Sequence, residues 1–347
     1  MMSETANFEH FMKPALRASL HARGKTGCNP NVGAALWRDG RLISVTSTAV
    51  GGRPHAETQL PEIYEEDILA VTLEPCAHEG VTPSCAKFIS RRPPSQVLVA
   101  VVDPDPRTSG KGIEILKHAG VHVIVGVAEE GARYHMAGFL SRVERRRPYV
   151  RLKIAMSMDG RSALADGTSR WISNEDARRH AHLLRAEAQA IMVGARTSSM
   201  DRPQLTCRLG SDESKLEKLI LCGRTRPSFI PDNALVIGTH EQNCDLVCAE
   251  DKDGRPELHD VLHQLALHGI GDLLVESGGT LAASLLSYNL VDELYIYQSP
   301  MVLGGDARPA MGALHLSEIV SLSGVVALRR RSFGDNMLHH YIFESKP

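Results

Sequence analysis

The sequence predicts an α/β protein with two domain-sized halves in which strands alternate with helices. Both halves show the alternation; Q-V-L-V-A-V-V at 96–102, for example, precedes a helical segment and a further apolar run. With 347 residues, 43% of them hydrophobic, the chain can bury two cores. The basic run E-R-R-R-P-Y at 144–149 ends at a proline and is typical of a linker. We therefore expect domains at residues 1–146 and 147–347.

The first half begins with a predicted helix at residues 8–22, in which Pro14 must occupy the first turn or cause a kink. C-N-P-N-V-G-A-A-L-W at 28–37 predicts a turn and a strand, and R-D-G-R at 38–41 predicts a hairpin into a second strand. His55 and Glu57 are then expected near the start of a helix that Pro61 keeps short. A buried strand is predicted at 68–73, and further strands at 96–102 and 121–127 with a helix between them.

The second half should begin with a strand over Y-V-R-L-K-I-A-M-S. S-N-E-D at 173–176 resembles a capping box, and it precedes apolar residues that share one helix face: Ala177, Ala181, Leu184 and Ala188. A second helix carries the stripe Leu258, Val261, Leu262 and Leu265. Buried strands are predicted at 190–194, 218–222 and 272–277. This alternation predicts a mainly parallel sheet that is covered on both faces.

The residues with the clearest chemistry lie between His55 and Cys85. One histidine and the two cysteines Cys76 and Cys85 offer Zn²⁺ three ligands and leave a fourth position for water, as in a catalytic zinc site. Glu57 is then the candidate proton shuttle. H-x-E followed by P-C-x-x-C is the pattern of zinc deaminases that act on nucleobases. Here the second gap is eight residues, which points to a relative with a different substrate.

Two other interpretations of this stretch remain. The three residues could be unrelated buried side chains. The zinc site could instead be structural, with His78 as a fourth protein ligand.

Composition excludes several other classes of protein. A net charge of -2 gives no general attraction to nucleic acid or membrane. We see neither an apolar run of about 18 residues nor a basic and then apolar N-terminus, so we expect a cytoplasmic protein without a membrane span. Seven scattered cysteines argue against a disulfide framework.

Several stretches together resemble the bifunctional riboflavin-biosynthesis deaminase/reductase family. In the first half these are N-P-N-V-G, H-A-E, T-L-E-P-C-A-H-E-G-V-T-P-S-C and D-P-D-P-R-T-S-G-K-G. In the second half they are V-R-L-K-I-A-M-S-M-D-G-R, S-R-W-I-S, D-R-P-Q-L-T-C-R, L-V-E-S-G-G-T-L and L-V-D-E-L. The resemblance implies a cytidine-deaminase-like three-layer domain followed by a dihydrofolate-reductase-like domain.

The resemblance also implies two cofactors and their contacts. One Zn²⁺ per chain would bind His55, Cys76 and Cys85, and Glu57 would act in catalysis. NADPH would contact Ala155, Trp171, Thr197, Asp201, Gly278, Gly279 and Thr280. A phosphoribosylaminopyrimidine substrate would contact Asn29, His78, Lys153, Ser169, Arg185, Leu205, Arg208 and Glu276.

Purely structural roles for the reductase residues also stay open. S-G-G-T at 277–280 could cradle a diphosphate at a helix start, or it could be only a tight turn that needs small residues. Trp171 could be a core residue, and Arg185 could be a surface residue of its helix.

Some positions depart from the family pattern. Val81 stands where the family usually has a basic residue, and Thr48 where it usually has a histidine, which should weaken the grip on substrate phosphate. His78 would then take a larger share of that phosphate. Gly223 replaces a polar residue at the adenosine end of the cofactor, where Arg224 or Arg226 could pair with the 2′-phosphate.

The expected function is zinc-dependent deamination of a diaminopyrimidinone, followed by NADPH-dependent reduction of its ribosyl chain to ribityl. Lys153, Asp201 and Glu276 are candidates for the proton donor of the second step. One alternative is an enzyme with only one live half, and another is a zinc-stabilised binding module. The oligomeric state, a homo-oligomer included, is left open.

Overall fold

The three-dimensional structure is a computed structural model, and it describes residues 4–79, 83–209, 216–318 and 324–344. The chain divides into two compact units, Met1–Arg145 and Arg146–Pro347. The division falls within the basic run that the sequence suggested as a linker. No helix in the described ranges is long and apolar enough to cross a membrane.

The first unit contains a five-stranded sheet with helices around it. Its strands are β1 (Gly33–Arg38), β2 (Arg41–Ser47), β3 (Ile68–Leu73), β4 (Gln96–Val101) and β5 (His122–Val125). Its helices are α1 (Glu9–Ala22), α2 (Cys85–Ser90), α3 (Lys111–His118), α4 (Glu129–His135) and α5 (Ala137–Glu144). Short 3₁₀ helices span Glu4–Phe8, Val50–Gly52 and Glu57–Gln59. The strand order is β2-β1-β3-β4-β5; β1 runs antiparallel to both neighbours, and β3, β4 and β5 are parallel.

The N-P-N-V-G motif joins α1 to β1. The Asn31 amide donates to the carbonyl oxygens of Ser19 in α1 (2.9 Å) and His135 in α4 (3.1 Å). A Cβ atom at Gly33 would overlap the carbonyl oxygen of Ala15, so only glycine lets α1 approach β1 this closely. The motif therefore fixes helix α1 against the sheet.

The hairpin predicted at residues 38–41 is confirmed. Arg38 and Arg41 pair across it, and Asp39 and Gly40 both have positive φ angles, of 49° and 71°. Two positive φ angles define the two-residue turn that matches strand twist, and Asp-Gly is a favoured sequence for it.

One helix prediction in this unit needs correction. The short helix expected at His55 and Glu57 is a single 3₁₀ turn, Glu57–Gln59, and His55 lies just before it. Of the two places expected for Pro14, the first turn is excluded, because Pro14 lies inside α1, which begins at Glu9.

The second unit contains a nine-stranded sheet and a two-stranded one. Its strands are β6 (Tyr149–Met156), β7 (Arg161–Ala163), β8 (Ala190–Gly194), β9 (Glu217–Leu221), β10 (Ala234–Gly238), β11 (Leu246–Val247), β12 (Asp272–Glu276), β13 (Glu293–Gln298), β14 (Arg308–Pro309), β15 (Val325–Phe333) and β16 (Asn336–Phe343). Its helices are α6 (Glu175–Ala186), α7 (Ala195–Asp201), α8 (Leu258–Leu267) and α9 (Gly279–Ser287).

The large sheet is mainly parallel, as predicted. Its order is β11-β10-β9-β8-β12-β6-β13-β16-β15, and only β16 and β15 run antiparallel to their neighbours. Alternate residues of β8 face different cores: Ala190 and Met192 pack with α8 and α9, whereas Ile191 and Val193 pack with α6. Both faces of the sheet are therefore covered, and the carboxyl ends of β6, β8, β12 and β13 meet at one edge.

Candidate active sites

Three potential zinc ligands converge in the first unit. His55 precedes the 3₁₀ turn, Cys76 follows β3 in a loop, and Cys85 is the first residue of α2. The His55 Nδ1 atom lies 3.3 Å from Cys85 Sγ and 3.7 Å from Cys76 Sγ. Within the described ranges, these three form the one group of potential metal ligands, with ligand atoms within 4.8 Å of one another. His78 is not in this group.

Hydrogen bonds at the cluster favour a thiolate on Cys76. The Cys85 thiol and the His55 ring hydrogen bond to Cys76, and this holds the pKa of Cys76 at about 4 despite its burial. The backbone N–H of Cys85, at the start of α2, also donates to Cys76 Sγ at 3.3 Å. The shared proton and burial raise the pKa of the Cys85 thiol. One thiolate, one thiol and an imidazole match the ligand set of a catalytic zinc site, because metal binding displaces the remaining proton.

Glu57 lies buried beside this cluster, with only 3% of its surface exposed. Burial raises the pKa of its carboxyl to about 7, near the value that suits a general acid and base at neutral pH. Its Oε2 atom is buried and has no hydrogen-bond partner among the described residues. An unpaired buried oxygen is costly. A zinc-bound ligand or a substrate would supply the missing partner of this oxygen, so the residues present fit zinc.

The predicted substrate contacts of the first unit, Asn29 and His78, and the position Thr48 that departs from the family pattern differ in their surroundings. The His78 Nδ1 atom lies 3.1 Å from the hydroxyl of Thr108. The buried Thr48 hydroxyl donates to the Pro30 carbonyl (2.9 Å) and accepts from the Val32 N–H (3.0 Å), so it is already engaged. Asn29 packs against Gly52, where a Cβ atom would overlap the Asn29 amide. Val81 lies outside the described residues.

In the second unit, Arg185, Glu276 and Lys153 form an ion-pair cluster at the carboxyl end of the parallel strands. Arg185 donates to Glu276 through Nε (2.7 Å) and Nη2 (3.0 Å), and Lys153 Nζ lies 3.7 Å from the same carboxylate. Burial alone would raise the pKa of Glu276, but the charges of Arg185 and Lys153 hold it at about 2. Arg185 is only 16% exposed, so it is not a surface residue.

Arg185 also organises the segment that carries two further predicted substrate contacts. Its Nη1 atom donates to the Thr206 carbonyl at 2.8 Å, next to buried Leu205, which has a positive φ of 52°. The backbone N–H of Arg208 donates to His182 Nδ1 at 3.3 Å, whereas the Arg208 side chain is exposed. Sequence reasoning missed His182, although its position one turn before Arg185 places both on one face of α6.

The S-G-G-T stretch forms the start of α9. Gly278 is the N-cap residue and contributes no side-chain cap, which leaves the first backbone N–H groups for a ligand. A Cβ atom at Gly278 would lie 3.6 Å from the Thr197 hydroxyl, so α7 and α9 begin side by side. The Ser277 hydroxyl is buried without a partner among the described residues. This arrangement fits a diphosphate group, because a helix N-terminus attracts anions.

Gly279 has a second reason to be glycine. A Cβ atom there would lie 2.9 Å from the backbone nitrogen of Gly312, whose N–H donates to the Gly279 carbonyl. Close packing alone thus requires a small residue at this position of the helix start.

Arg170 connects its chain neighbour Trp171 to Asp201. Trp171 is 60% exposed, with the Arg178 guanidinium 4.4 Å above its ring, and is therefore not a core residue. Arg170 donates to the Asp201 carbonyl at 2.8 Å, and burial raises the pKa of the Asp201 carboxyl. The Ser169 carbonyl accepts from Ile172. Ala155 lies on β6 opposite Tyr297 of β13, an aromatic residue that no sequence pattern indicated.

Arg224 and Arg226, the suggested partners of a 2′-phosphate, both have acidic neighbours. Arg224 lies 3.4 Å from Glu250, and Arg226 lies 3.5 Å from Asp245. Their role in cofactor selectivity stays a prediction.

A three-residue cluster of potential metal ligands with a buried glutamate in one α/β unit, and a glycine-rich helix start on a parallel sheet in the other, are the features of a two-domain deaminase/reductase architecture. Comparisons with known proteins agree. A family model described as the RibD C-terminal domain matches residues 148–332. The riboflavin biosynthesis protein RibD of Aquifex aeolicus is 34% identical over 315 residues, which cover 85% of this chain and 88% of that protein. The Escherichia coli protein of the same name is 32% identical over 329 residues, 86% of this chain and 89% of that protein.

Solved structures of the same family match nearly the whole chain. Form 2 of Acinetobacter baumannii RibD has a TM-score of 0.83 at 30% identity and covers 99% of this chain and 100% of that one. A deaminase/reductase from Thermotoga maritima has a TM-score of 0.86 at 29% identity and covers 98% of this chain and 99% of that one. The chain therefore belongs to the RibD family of riboflavin biosynthesis enzymes. The predicted fold class, an N-terminal deaminase domain followed by a dihydrofolate-reductase-like domain, is confirmed.

Proposed function

We propose that this enzyme catalyses two consecutive steps of riboflavin biosynthesis. The first unit would hydrolytically deaminate 2,5-diamino-6-(5-phosphoribosylamino)pyrimidin-4-one with the help of zinc. The second would reduce the ribosyl side chain of the product to ribityl with NADPH. The observation that carries the proposal is the cluster of His55, Cys76 and Cys85 beside a buried Glu57 whose Oε2 atom lacks a partner in the part of the chain that the structure describes.

In the deaminase unit, His55, Cys76 and Cys85 would hold the metal. Zinc, when bound, lowers the pKa of water and makes it nucleophilic at neutral pH. The Glu57 carboxylate would take the proton that this water loses and give it to the departing amine, so that ammonia leaves. A pKa near 7 suits both transfers.

In the reductase unit, Ser277, Gly278, Gly279 and Thr280 would bind the cofactor diphosphate. NADPH, when bound, supplies the hydride. Arg185 and Lys153 would orient Glu276 toward the substrate. Since Glu276 is ionised at neutral pH, Lys153 and Asp201 are left as candidates for the group that protonates the new alcohol.

One observation favours a second reading, in which only the reductase half is active. The Thr48 hydroxyl is bound within the protein, so this position offers no contact to a substrate phosphate. The intact ligand cluster and Glu57 support two active halves.

The test is to give zinc-loaded protein the diamino substrate with and without NADPH and to weigh the products. Replacement of an amine by oxygen adds one dalton, and reduction adds two more. We expect a gain of one dalton without the cofactor and three with it. An unchanged mass without NADPH, together with reduction of an already deaminated substrate, would leave only the second half active.

Zinc binding can be measured separately. Cys85→Ala removes a ligand and should greatly weaken zinc binding, as measured by metal analysis of the purified protein. Full retention of zinc would contradict the ligand assignment.

A further inference from the structure

Glu74, directly after β3, accepts backbone hydrogen bonds both from the first turn of α3 and from the loop before it. Its Oε1 accepts from the N–H groups of Gly112 (2.9 Å) and Ile113 (3.2 Å), and its Oε2 from Asp103 (3.2 Å) and Gly110 (3.0 Å). The side chain is buried, with 2% of its surface exposed. Four N–H groups from the loop before α3 and from its first turn thus depend on one carboxyl group. None of these contacts involves a cofactor or substrate position.

The same loop touches the backbone of the zinc-ligand segment. A Cβ atom at Gly112 would overlap the carbonyl oxygen of Pro75, so the start of α3 packs directly on the peptide before Cys76. On the other side, the Cys76 carbonyl accepts from the Ser84 hydroxyl (2.6 Å) and the Ala86 N–H (3.2 Å) at the start of α2. Pro75 and Cys76 are therefore held between the first turns of two helices.

We propose that Glu74 is a positioning residue that sets the zinc affinity of this site. By tying β3 to the start of α3, it fixes the path of Pro75 and Cys76, and it thereby places Cys76 Sγ against His55 and Cys85. The inference rests on the zinc-dependent function proposed above. Groups that orient metal ligands typically contribute about 10- to 100-fold to metal affinity.

Two unrelated substitutions should weaken zinc binding in the same way. In Glu74→Gln, the amide NH₂ faces two backbone N–H groups instead of accepting from them. In Gly112→Ala, the added methyl group pushes the start of α3 away from the Pro75 carbonyl. For each variant we expect a zinc dissociation constant raised by about 10- to 100-fold. If Glu74→Gln does not fold, Gly112→Ala still tests the proposal.

Asp67 supplies a matched control, because it is a buried carboxylate at the opposite end of the same strand. It accepts from the Tyr64 N–H (2.8 Å) and pairs with Arg38 (2.7 Å), directly before β3. Asp67→Asn should reduce the stability of the unit but leave the zinc affinity of the folded protein unchanged. Gly131→Ala controls for the added methyl group, since its Cβ atom would make only ordinary contact with Leu16 at 3.6 Å.

The zinc dissociation constant of the full chain is measured by competition with a fluorescent chelator. The zinc that Cys85→Ala still binds is subtracted as background. Circular dichroism of the metal-free variants checks folding. Weaker binding in Glu74→Gln and Gly112→Ala, with wild-type affinity in both controls, supports the proposal. Wild-type affinity in the folded Glu74 and Gly112 variants overturns it, as does an equal loss in Asp67→Asn. If the wild-type protein itself binds no zinc, the proposed deaminase function fails first.

Discussion

The pKa values of two buried carboxyl groups of this enzyme shift in opposite directions, because their neighbours differ. At Glu57, burial outweighs the charge of the nearby His55 ring and raises the pKa of the carboxyl to about 7. Glu276 is also buried, but two cations hold its pKa at about 2. One carboxyl group can therefore exchange a proton near neutral pH, whereas the other remains charged.

Removal of one cation should reverse the behaviour of Glu276. In Arg185→Met, burial should dominate and raise the pKa of Glu276 above its ordinary value of 4.5, as measured by NMR titration of the carboxyl carbon. Because the folded-state pKa is lowered in the wild-type protein, the pair stabilises the fold above pH 4.5, and this contribution is lost as pH falls toward about 2. The lowered pKa corresponds to a contribution on the order of 3 kcal/mol, so the free energy of unfolding in urea should fall more between pH 4.5 and about 2 in wild type than in the variant. A pKa of about 2 in the variant would contradict the assigned cause.

At Gly278, the proposed diphosphate site can be tested by adding a charged side chain. Its backbone angles (φ −72°, ψ 167°) suit any residue, and a Cβ atom would meet only the Thr197 hydroxyl. Gly278→Asp should still fold, since aspartate is a good N-cap, but its negative charge should repel the cofactor diphosphate. We expect the Kd for NADPH to rise by about 10- to 150-fold, measured by fluorescence titration.

Gly278→Asn is the neutral control of nearly identical shape, and it should lose much less affinity. Equal losses in the two variants would show that bulk, and not charge, matters at this position.

Among the secondary-structure elements, the packing of α1 on the sheet depends on one small residue of the neighbouring strand. Gly33 brings the α1 backbone close to β1, so Gly33→Ala must push the helix and strand apart. We expect the free energy of unfolding to fall by at least about 2 kcal/mol, as measured by urea denaturation. Gly40→Asn is the control: it has open space around the site, and asparagine tolerates its positive φ of 71°. Wild-type stability in Gly33→Ala would mean that the packing is not as close as described.

In the whole molecule, the two chemistries should be separable, because each candidate site is built within one compact unit. Glu57→Gln should reduce deamination by roughly 10² to 10⁴-fold and leave reduction of a deaminated substrate nearly unchanged. Gly278→Asp should do the opposite. Both half-reactions are to be measured separately for both variants after zinc content and folding are checked. Loss of both activities in a folded, zinc-loaded variant would require a shared site.

Much of this organisation could be predicted from local sequence. The hairpin at Asp39-Gly40, the strand at 68–73 and the helix after Asn174 each follow from neighbours in the chain: turn residues, an apolar run and an N-cap. The predicted helix is present, but its N-cap is Asn174, whose side chain accepts from the Ala177 N–H at 3.0 Å, and not Ser173 as the capping-box pattern implied. The cluster of His55, Cys76 and Cys85 could be predicted because histidine and cysteine side chains, with a nearby glutamate, have few other common uses in this order.

Tertiary structure decided what depends on residues far apart in the chain. Arg185 and Glu276 are separated by 91 positions, so no local pattern could show that the arginine pairs with the glutamate. The four N–H groups on Glu74, the engaged hydroxyl of Thr48 and the space that Gly33 leaves for α1 are likewise invisible in the sequence. Local patterns specify which residue types and elements are present, because those depend on near neighbours. Charge states and close contacts depend on which elements the fold packs together.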